Sequence, residues 1–350
     1  MMRIAVVSDA WTPQVNGVVR TLSTVIDIAR ARGHHVRTIT PDRFRSVPMP
    51  NYPEIRLALA SPCAVGAMIG DFAPDAVHIA TEGPLGWLAR RWCTARGVAF
   101  TTSFHTRFPD YIAARTGLPA SLLWRPLVRF HRPAQHILVA TPRLAAELAD
   151  NGLTQTLPWT RGVDDRLFRP DCPPHPAFAE LPRPIAIHVG RVAVEKNIEA
   201  FLAAEWTGSK VVVGDGPALD ALQKRFPAAH FLGGLHGEAL ASTYAGADIC
   251  VFPSRTDTFG LVIIEALASG TPVAGFPVPG PLDILGPDGH GTEGPKTRVG
   301  GVDVDLAVAM RDALTANRSD CAAYGARFSW NRSCDQFLAA LTPVDFAAVA

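Results

Sequence analysis

The 350 residues are 48% hydrophobic and 19% charged, with a net charge of +1, which is enough apolar chain for two globular cores. The aliphatic runs are short, such as IAVV, ILVA and ICVF, and none approaches the roughly 18–20 apolar residues of a membrane span. MMRIAVVSDAW turns polar after a strand's length, unlike a secretory signal, and the six cysteines show no CxxC or metal-ligand spacing. Reduced structural thiols and a cytoplasmic, soluble protein are therefore expected.

In chain order, the first half predicts strands at Arg3–Ser8, Val36–Thr40, Ile55–Leu59, Ala76–Ala80, Ala99–Ser103 and Ile137–Thr141, with helices between them such as Val18–Arg32 and Pro142–Asn151. A passage with six prolines, Arg169 to Pro184, excludes regular structure and reads as a linker. A second alternating series follows at Ile185–Val189, Lys210–Val213, His230–Leu232, Ile249–Pro253 and Pro272–Phe276, and a terminal helix starts at Ser329. Strands alternating with helices imply an α/β class with parallel sheets. The expected architecture is two Rossmann-like, doubly wound domains facing across a cleft that binds ligand. The expected boundaries are 1–165, a linker at 166–184, 185–328, and a terminal helix and tail at 329–350 that returns to the N-terminal domain.

The charge is unevenly shared. Met1 to Thr160 carries 17 Arg, no Lys and 10 acidic residues, or +7, and the remainder carries −6. A basic first half suits an anionic face such as a phospholipid surface; arginines spread evenly for solvation are the alternative. The tightest groups are Arg90-Arg91 and the looser set Arg125, Arg129 and Arg132.

Polar residues cluster at predicted strand ends, where the loops of doubly wound sheets bind ligands. SRTDTFGLVIIEALASGTP (Ser254–Pro272) places Asp257 in a loop, Thr258-Phe259-Gly260 at a turn and Glu265 inside an apolar helix. The first-turn N–H groups, near Phe259 to Val262, are expected to receive a phosphate. GRVAVEKN supplies two cations, Arg191 and Lys196, after Gly190. Together they suit a sugar attached to a diphosphate. An ion pair of Arg191 with Glu195 is the competing structural reading. Asp215 and Gly216 shape either a nucleotide pocket or a tight turn. Asp303-Val304-Asp305 matches the DxD of metal-dependent transferases but opens a helix expected at Leu306–Ala316, so it reads as a cap, and no metal is expected.

The motifs NGVVRT (Asn16–Thr21), SFHTRFPDY (Ser103–Tyr111), RGVD (Arg161–Asp164), GRVAVEKN, VVGDGP (Val212–Pro217) and the Asp257…Glu265 block cover nearly the whole chain. In this order they resemble the family-4 retaining glycosyltransferases of the GT-B fold. TEGPLGW (Thr81–Trp87) is similar to a subgroup that includes diacylglycerol-modifying sulfoquinovosyl- and mannosyl/glucosyltransferases. The resemblance implies transfer of a hexose from a UDP- or GDP-linked donor to an acceptor hydroxyl, with retention and without a metal or other cofactor. It also implies a lipid acceptor and a peripheral location on the inner face of the plasma membrane; no nucleic acid is expected as a partner. It gives His105 a contact to the donor sugar near the reacting carbon, and Arg191 and Lys196 the departing diphosphate. Asn16 and Gly17 are to approach the phosphates, Glu265 the ribose diol, and Asp257 with Thr258, Phe259 and Gly260 the hexose and phosphate. The family pattern has Glu where this chain has Asp257, one methylene shorter, which implies either a closer loop or a different donor sugar. A soluble acceptor, an epimerase, a phosphorylase and a non-catalytic nucleotide-sugar-binding protein are the rival readings; a dehydrogenase would need a GxGxxG that follows no strand here.

Overall fold

The computed structural model of the protein describes residues 1–14, 16–49, 52–105, 120–292, 294, 296–344 and 346. Two compact units are present, Met1–Arg161 with Trp330–Ala350, and Gly162–Ser329.

In the first unit, helix-length segments between apolar strands supply the crossovers that parallel pairing requires. The chain runs β1 (Arg3–Val7), α1 (Gly17–Ala31), β2 (His35–Ile39), β3 (Ser46–Met49), β4 (Tyr52–Ala58), α2 (Pro62–Gly70), β5 (Ala76–Ile79), α3 (Pro84–Arg96), β6 (Thr101–Phe104), α4 (Ala120–His131), β7 (Ile137–Val139), α5 (Pro142–Asp150) and β8 (Thr156–Pro158). The sheet order is β2-β1-β5-β6-β7-β8, parallel throughout. Side chains of β1, β5 and the adjoining helices form one core with Phe100 and Phe130, and Phe104, Leu127, Leu144 and Leu148 form another. The segment predicted as a strand at Ile55–Leu59 is β4, which pairs antiparallel with β3 in a separate two-stranded sheet. The link between β3 and β4 is too short for a parallel crossover, so a hairpin is the pairing available. The unanticipated β8 is only three residues long and lies at the sheet edge.

The second unit repeats the plan with β9 (Ile185–Val189), α6 (Ile198–Ala203), β10 (Ser209–Val213), α7 (Leu219–Arg225), β11 (His230–Phe231), α8 (Gly237–Gly246), β12 (Ile249–Phe252), α9 (Leu261–Ala268), β13 (Val273–Gly275), α10 (Pro279–Ile284), β14 (Gly300–Val302), α11 (Leu306–Ala313) and α12 (Arg318–Gly325). Its parallel sheet has the order β11-β10-β9-β12-β13-β14. The Pro-rich passage lies in this unit and does hold one three-residue 3-10 turn, Pro176–Phe178, whose Phe178 is buried. Prolines 170 to 184 therefore break long elements without preventing a tight turn, whose first residue tolerates the missing N–H.

The last helix, α13 (Trp330–Ala340), belongs to the first unit. It buries Cys334 and Phe337, and Arg32 after α1 reaches Asp335 at 2.5 Å. The six cysteines are free thiols, all buried except Cys63.

Candidate active site

Where strand order reverses in a parallel sheet, the loops leaving two neighbouring strands diverge and open a crevice at their C-terminal ends. In the second unit that point lies between β9 and β12. Gly190, Arg191 and Lys196 follow β9, and Ser254 to Gly260 follow β12. Side chains tie the two loops together. Lys196 Nζ donates to both Asp257 oxygens, at 2.7 and 2.8 Å. Asn197 Nδ2 donates to Pro253 O at 3.0 Å, and His188 Nδ1 donates to Val251 O at 3.1 Å. Burial holds His188 down at about 4, so the ring is neutral.

Both cations expected at a diphosphate are thus paired within their own unit: Lys196 with Asp257, and Arg191 Nη2 with Glu195 Oε1. The Arg191–Glu195 pair is the structural alternative weighed for that residue. An incoming anion must share or exchange these partners.

Gly260 is the N-cap of α9, with φ +93° and no side-chain cap. A Cβ there would sit 2.9 Å from the Phe252 ring. Phe259 turns its ring inward against Phe328, with centroids 6.2 Å apart, so only its backbone faces the loop's chemistry. Thr258 is half-buried. Glu265 is 3% exposed, and its Oε2 accepts from Tyr244 Oη at 3.0 Å. Tyr244 comes from α8, 21 residues away, and nothing in the local sequence around Glu265 indicates it. After β10, Asp215 Oδ2 accepts from Gly234 N at 2.8 Å, and Val192 N donates to Asp215 O at 2.8 Å. Asp215 therefore pins the turn, and Gly216 at φ +156° lies where a Cβ would come within 2.4 Å of Val192 O.

In the first unit the reversal lies between β1 and β5. Asn16 Oδ1 accepts from Val18 N and Val19 N, both at 3.0 Å, and so caps α1, with Gly17 as its first residue. The cap occupies two N–H groups that an anion would use. Asp9 caps α3 from the end of β1, accepting from Leu85 N at 2.8 Å and Gly86 N at 3.2 Å; burial raises its pKa. Glu82 Oε1 lies 3.1 Å from His131 Nε2, whose Nδ1 is 2.9 Å from Thr102 Oγ1.

His105, just past β6, is 8% exposed. Its Nε2 lies 2.8 Å from Ser103 Oγ and its Nδ1 3.1 Å from Arg161 Nη2. Burial, then the charge of Arg161, holds it well below the usual histidine value, so the ring is neutral. The rest of SFHTRFPDY, 106–111, lies outside the described residues. Arg161 belongs to the RGVD motif, but its partnership with His105 spans 56 residues and is not readable from sequence.

Asp305 caps α11 by accepting from Ala307 N at 2.9 Å, and Asp303 Oδ1 accepts from Asp305 N at 2.8 Å. Among the described residues, no group of three or more His, Cys, Asp or Glu is placed to hold a metal ion. Nor is any helix among them long and apolar enough to cross a membrane.

Two Rossmann-like units with polar loops gathered at their strand ends match the GT-B fold. Residues 15–167 match the family described as Glycosyltransferase Family 4, and residues 183–315 match Glycosyl transferases group 1. The chain is 34% identical over 310 residues to a GDP-mannose-dependent alpha-mannosyltransferase of Mycolicibacterium smegmatis, covering 82% of each. It is 27% identical to an alpha-monoglucosyldiacylglycerol synthase of Streptococcus pneumoniae, over 78% of this chain and 70% of that one. In fold it is similar to the sucrose-phosphate synthase of Thermosynechococcus elongatus, at TM-score 0.76 and 22% identity over 97% and 98% of the two chains. The chain belongs to glycosyltransferase family 4.

Proposed function

We propose that the protein transfers mannose from GDP-mannose to a hydroxyl of a membrane glycolipid, with retention of configuration and without a metal. The mannosyltransferase of M. smegmatis, at 34% identity, supports this donor over a UDP-hexose. The diacylglycerol named for the S. pneumoniae relative supports a lipid acceptor. The observation that carries the reading is the Lys196–Asp257 link at the strand-order reversal of the second sheet. A cation and a carboxylate joined there supply what a sugar diphosphate needs: positive charge for the phosphates and an acceptor for sugar hydroxyls. Arg191, Lys196 and the backbone from Thr258 to Gly260 would stabilise the departing diphosphate, where negative charge develops. Asp257 would meet the hexose, Glu265 the ribose, and His105 the region near the reacting carbon. Gly190, Asp215 and Gly216 would shape the nucleotide pocket, and Asn16 and Gly17 would approach the phosphates. On this reading the acceptor hydroxyl attacks on the face the diphosphate leaves, and a leaving phosphate oxygen takes its proton. Positioning and electrostatics then carry most of the rate.

An anionic membrane surface is the second proposed partner. Arg90, Arg125, Arg129 and Arg132 line a cavity of about 510 Å³ beside Trp124, and among the described residues no acidic one lines it. All four belong to the two arginine groups that the sequence singled out, of which Arg91 alone is not in the lining. Such a concentration of positive charge favours phosphate-bearing surfaces.

The donor reading is tested by thermal stabilisation with GDP-mannose, UDP-glucose, UDP-galactose, UDP-glucuronate and UDP-sulfoquinovose, with and without EDTA. A ligand that binds only the folded state raises the melting temperature. The expected result is a shift with GDP-mannose, unchanged by EDTA and lost in Arg191→Ala. A shift with none of the donors sinks the site assignment.

A further inference from the structure

Arg161 is an unusual neighbour for a histidine. Arg161 is 5% exposed, and burial pulls its pKa down to about 10. Nη1 donates to Trp159 O at 2.6 Å, while Nη2 faces His105 Nδ1 at 3.1 Å. A guanidinium has only donors to offer. His105 Nδ1 must therefore accept, and the ring's proton resides on Nε2. From there the direction of the bonds between His105 and Ala80 O follows. His105 Nε2 donates to Ser103 Oγ at 2.8 Å, and Ser103 Oγ donates to Ala80 O at 3.1 Å. His78 Nε2 lies 3.2 Å from the same Oγ, and its Nδ1 lies 2.9 Å from Thr101 Oγ1. The run starts at a group that can only donate and ends at a carbonyl that can only accept, so one tautomer of His105 satisfies it; His78 keeps a choice, because Thr101 Oγ1 also lies 3.5 Å from Val77 O. Trp159 holds both partners in place, with the guanidinium 4.8 Å from its ring and the imidazole centroid at 5.4 Å. A flip of the imidazole would turn a ring carbon to the guanidinium and leave a buried donor without its acceptor.

We propose that Arg161 is a positioning residue for His105, fixing its imidazole in one orientation and as the neutral tautomer with hydrogen on Nε2. The proposal deepens the reading of His105 as a donor-sugar contact and rests on it. A neutral, immobile ring is what that contact requires, because the sugar carbon becomes electron-poor as the diphosphate leaves. An imidazolium there would oppose it.

The test is a double-mutant cycle with Arg161→Met and His105→Phe, scored by kcat and donor KM on protein whose melting is cooperative. Arg161→Met is expected to lower kcat about 10- to 100-fold, the range for misplacing a reacting group, with donor KM little changed. In the His105→Phe background the same substitution should change kcat no further. Arg161→Lys, which keeps one donor, should recover part of the loss. Unchanged kcat in folded Arg161→Met, or an equal loss in both backgrounds, overturns the proposal. Nitrogen-15 spectra of labelled histidine provide a readout independent of activity. They should show His105 with a bare Nδ1 in the parent and a mixture of tautomers in Arg161→Met; an unaltered tautomer also overturns it. Full activity in His105→Phe would instead remove the catalytic reading of His105, while the spectra still decide what Arg161 does.

Discussion

Replacing Asp257 by Asn should move two measurable quantities in opposite directions. Lys196 Nζ is held by both Asp257 oxygens at 2.7 and 2.8 Å, and the two side chains are 26% and 27% exposed. Two unit charges about 4 Å apart attract by about 4 kcal/mol at an effective dielectric of 20. Desolvation and side-chain ordering cancel most of that, leaving a net of about 1 kcal/mol for a pair open to water. A diphosphate that takes over Lys196 must give up this interaction. Asp257→Asn removes the competitor without altering shape, so GDP alone should bind roughly fivefold tighter, the equivalent of about 1 kcal/mol. Turnover of GDP-mannose should fall, because the carboxylate proposed to receive sugar hydroxyls is gone. Titration calorimetry with GDP in low salt measures the first effect and steady-state transfer the second. Lys196→Ala should weaken GDP in the same titration. If Asp257→Asn binds GDP no better than the parent, Lys196 is not shared between carboxylate and phosphate, and the exchange argument fails.

Glu265→Leu removes the acceptor that the Tyr244 hydroxyl uses at 3.0 Å and should cost about 1–3 kcal/mol in urea unfolding. Glu265→Gln, which keeps an acceptor oxygen, should cost less, and equal losses would argue against that bond. Gly216→Ala places a Cβ 2.4 Å from Val192 O at a φ of +156°. It should raise donor KM and lower the melting temperature by the equivalent of about 1–3 kcal/mol; a variant with parental KM would separate this turn from the donor. His78 and His188 have pKa values depressed by burial to about 3 and about 4, so protons bind the unfolded chain first. Their contribution to stability is complete above the unfolded value of about 6.5 and is lost as pH falls, at up to about 1.4 kcal/mol per unit for each ring. Melting temperatures should decline between pH 7 and pH 5, and a flat profile would refute the assignment of buried neutral rings.

The parallel plan of both units was legible because strand-length apolar runs alternate with helix-length segments. Segments such as Ile185–Val189 have matching bounds in sequence and structure. The strands that escaped are β3, four residues long in the separate two-stranded sheet, and the sheet-edge strands β8 and β14, three residues each. Site residues were legible as types at strand ends. The Arg191–Glu195 pair was legible as an alternative, but the distant partners were not, because Glu265 with Tyr244 and His105 with Arg161 meet through separations of 21 and 56 residues. The pairing of each cation with a carboxylate has a physical reason that composition does not reveal. A half-buried charge without a partner is costly, so a site built for an anion is more stable when its cations are occupied before the anion arrives. Arg191 and Glu195 lie four residues apart and can pair locally, whereas Lys196 reaches across the strand-order reversal to Asp257. On the proposed reading that makes Lys196 the more informative cation. Its release from Asp257 frees a positive charge for phosphate and a carboxylate for sugar in the same event. The shorter Asp in place of the family's Glu then acts on both partners at once, because the length that sets its reach to the hexose also sets its distance to Lys196.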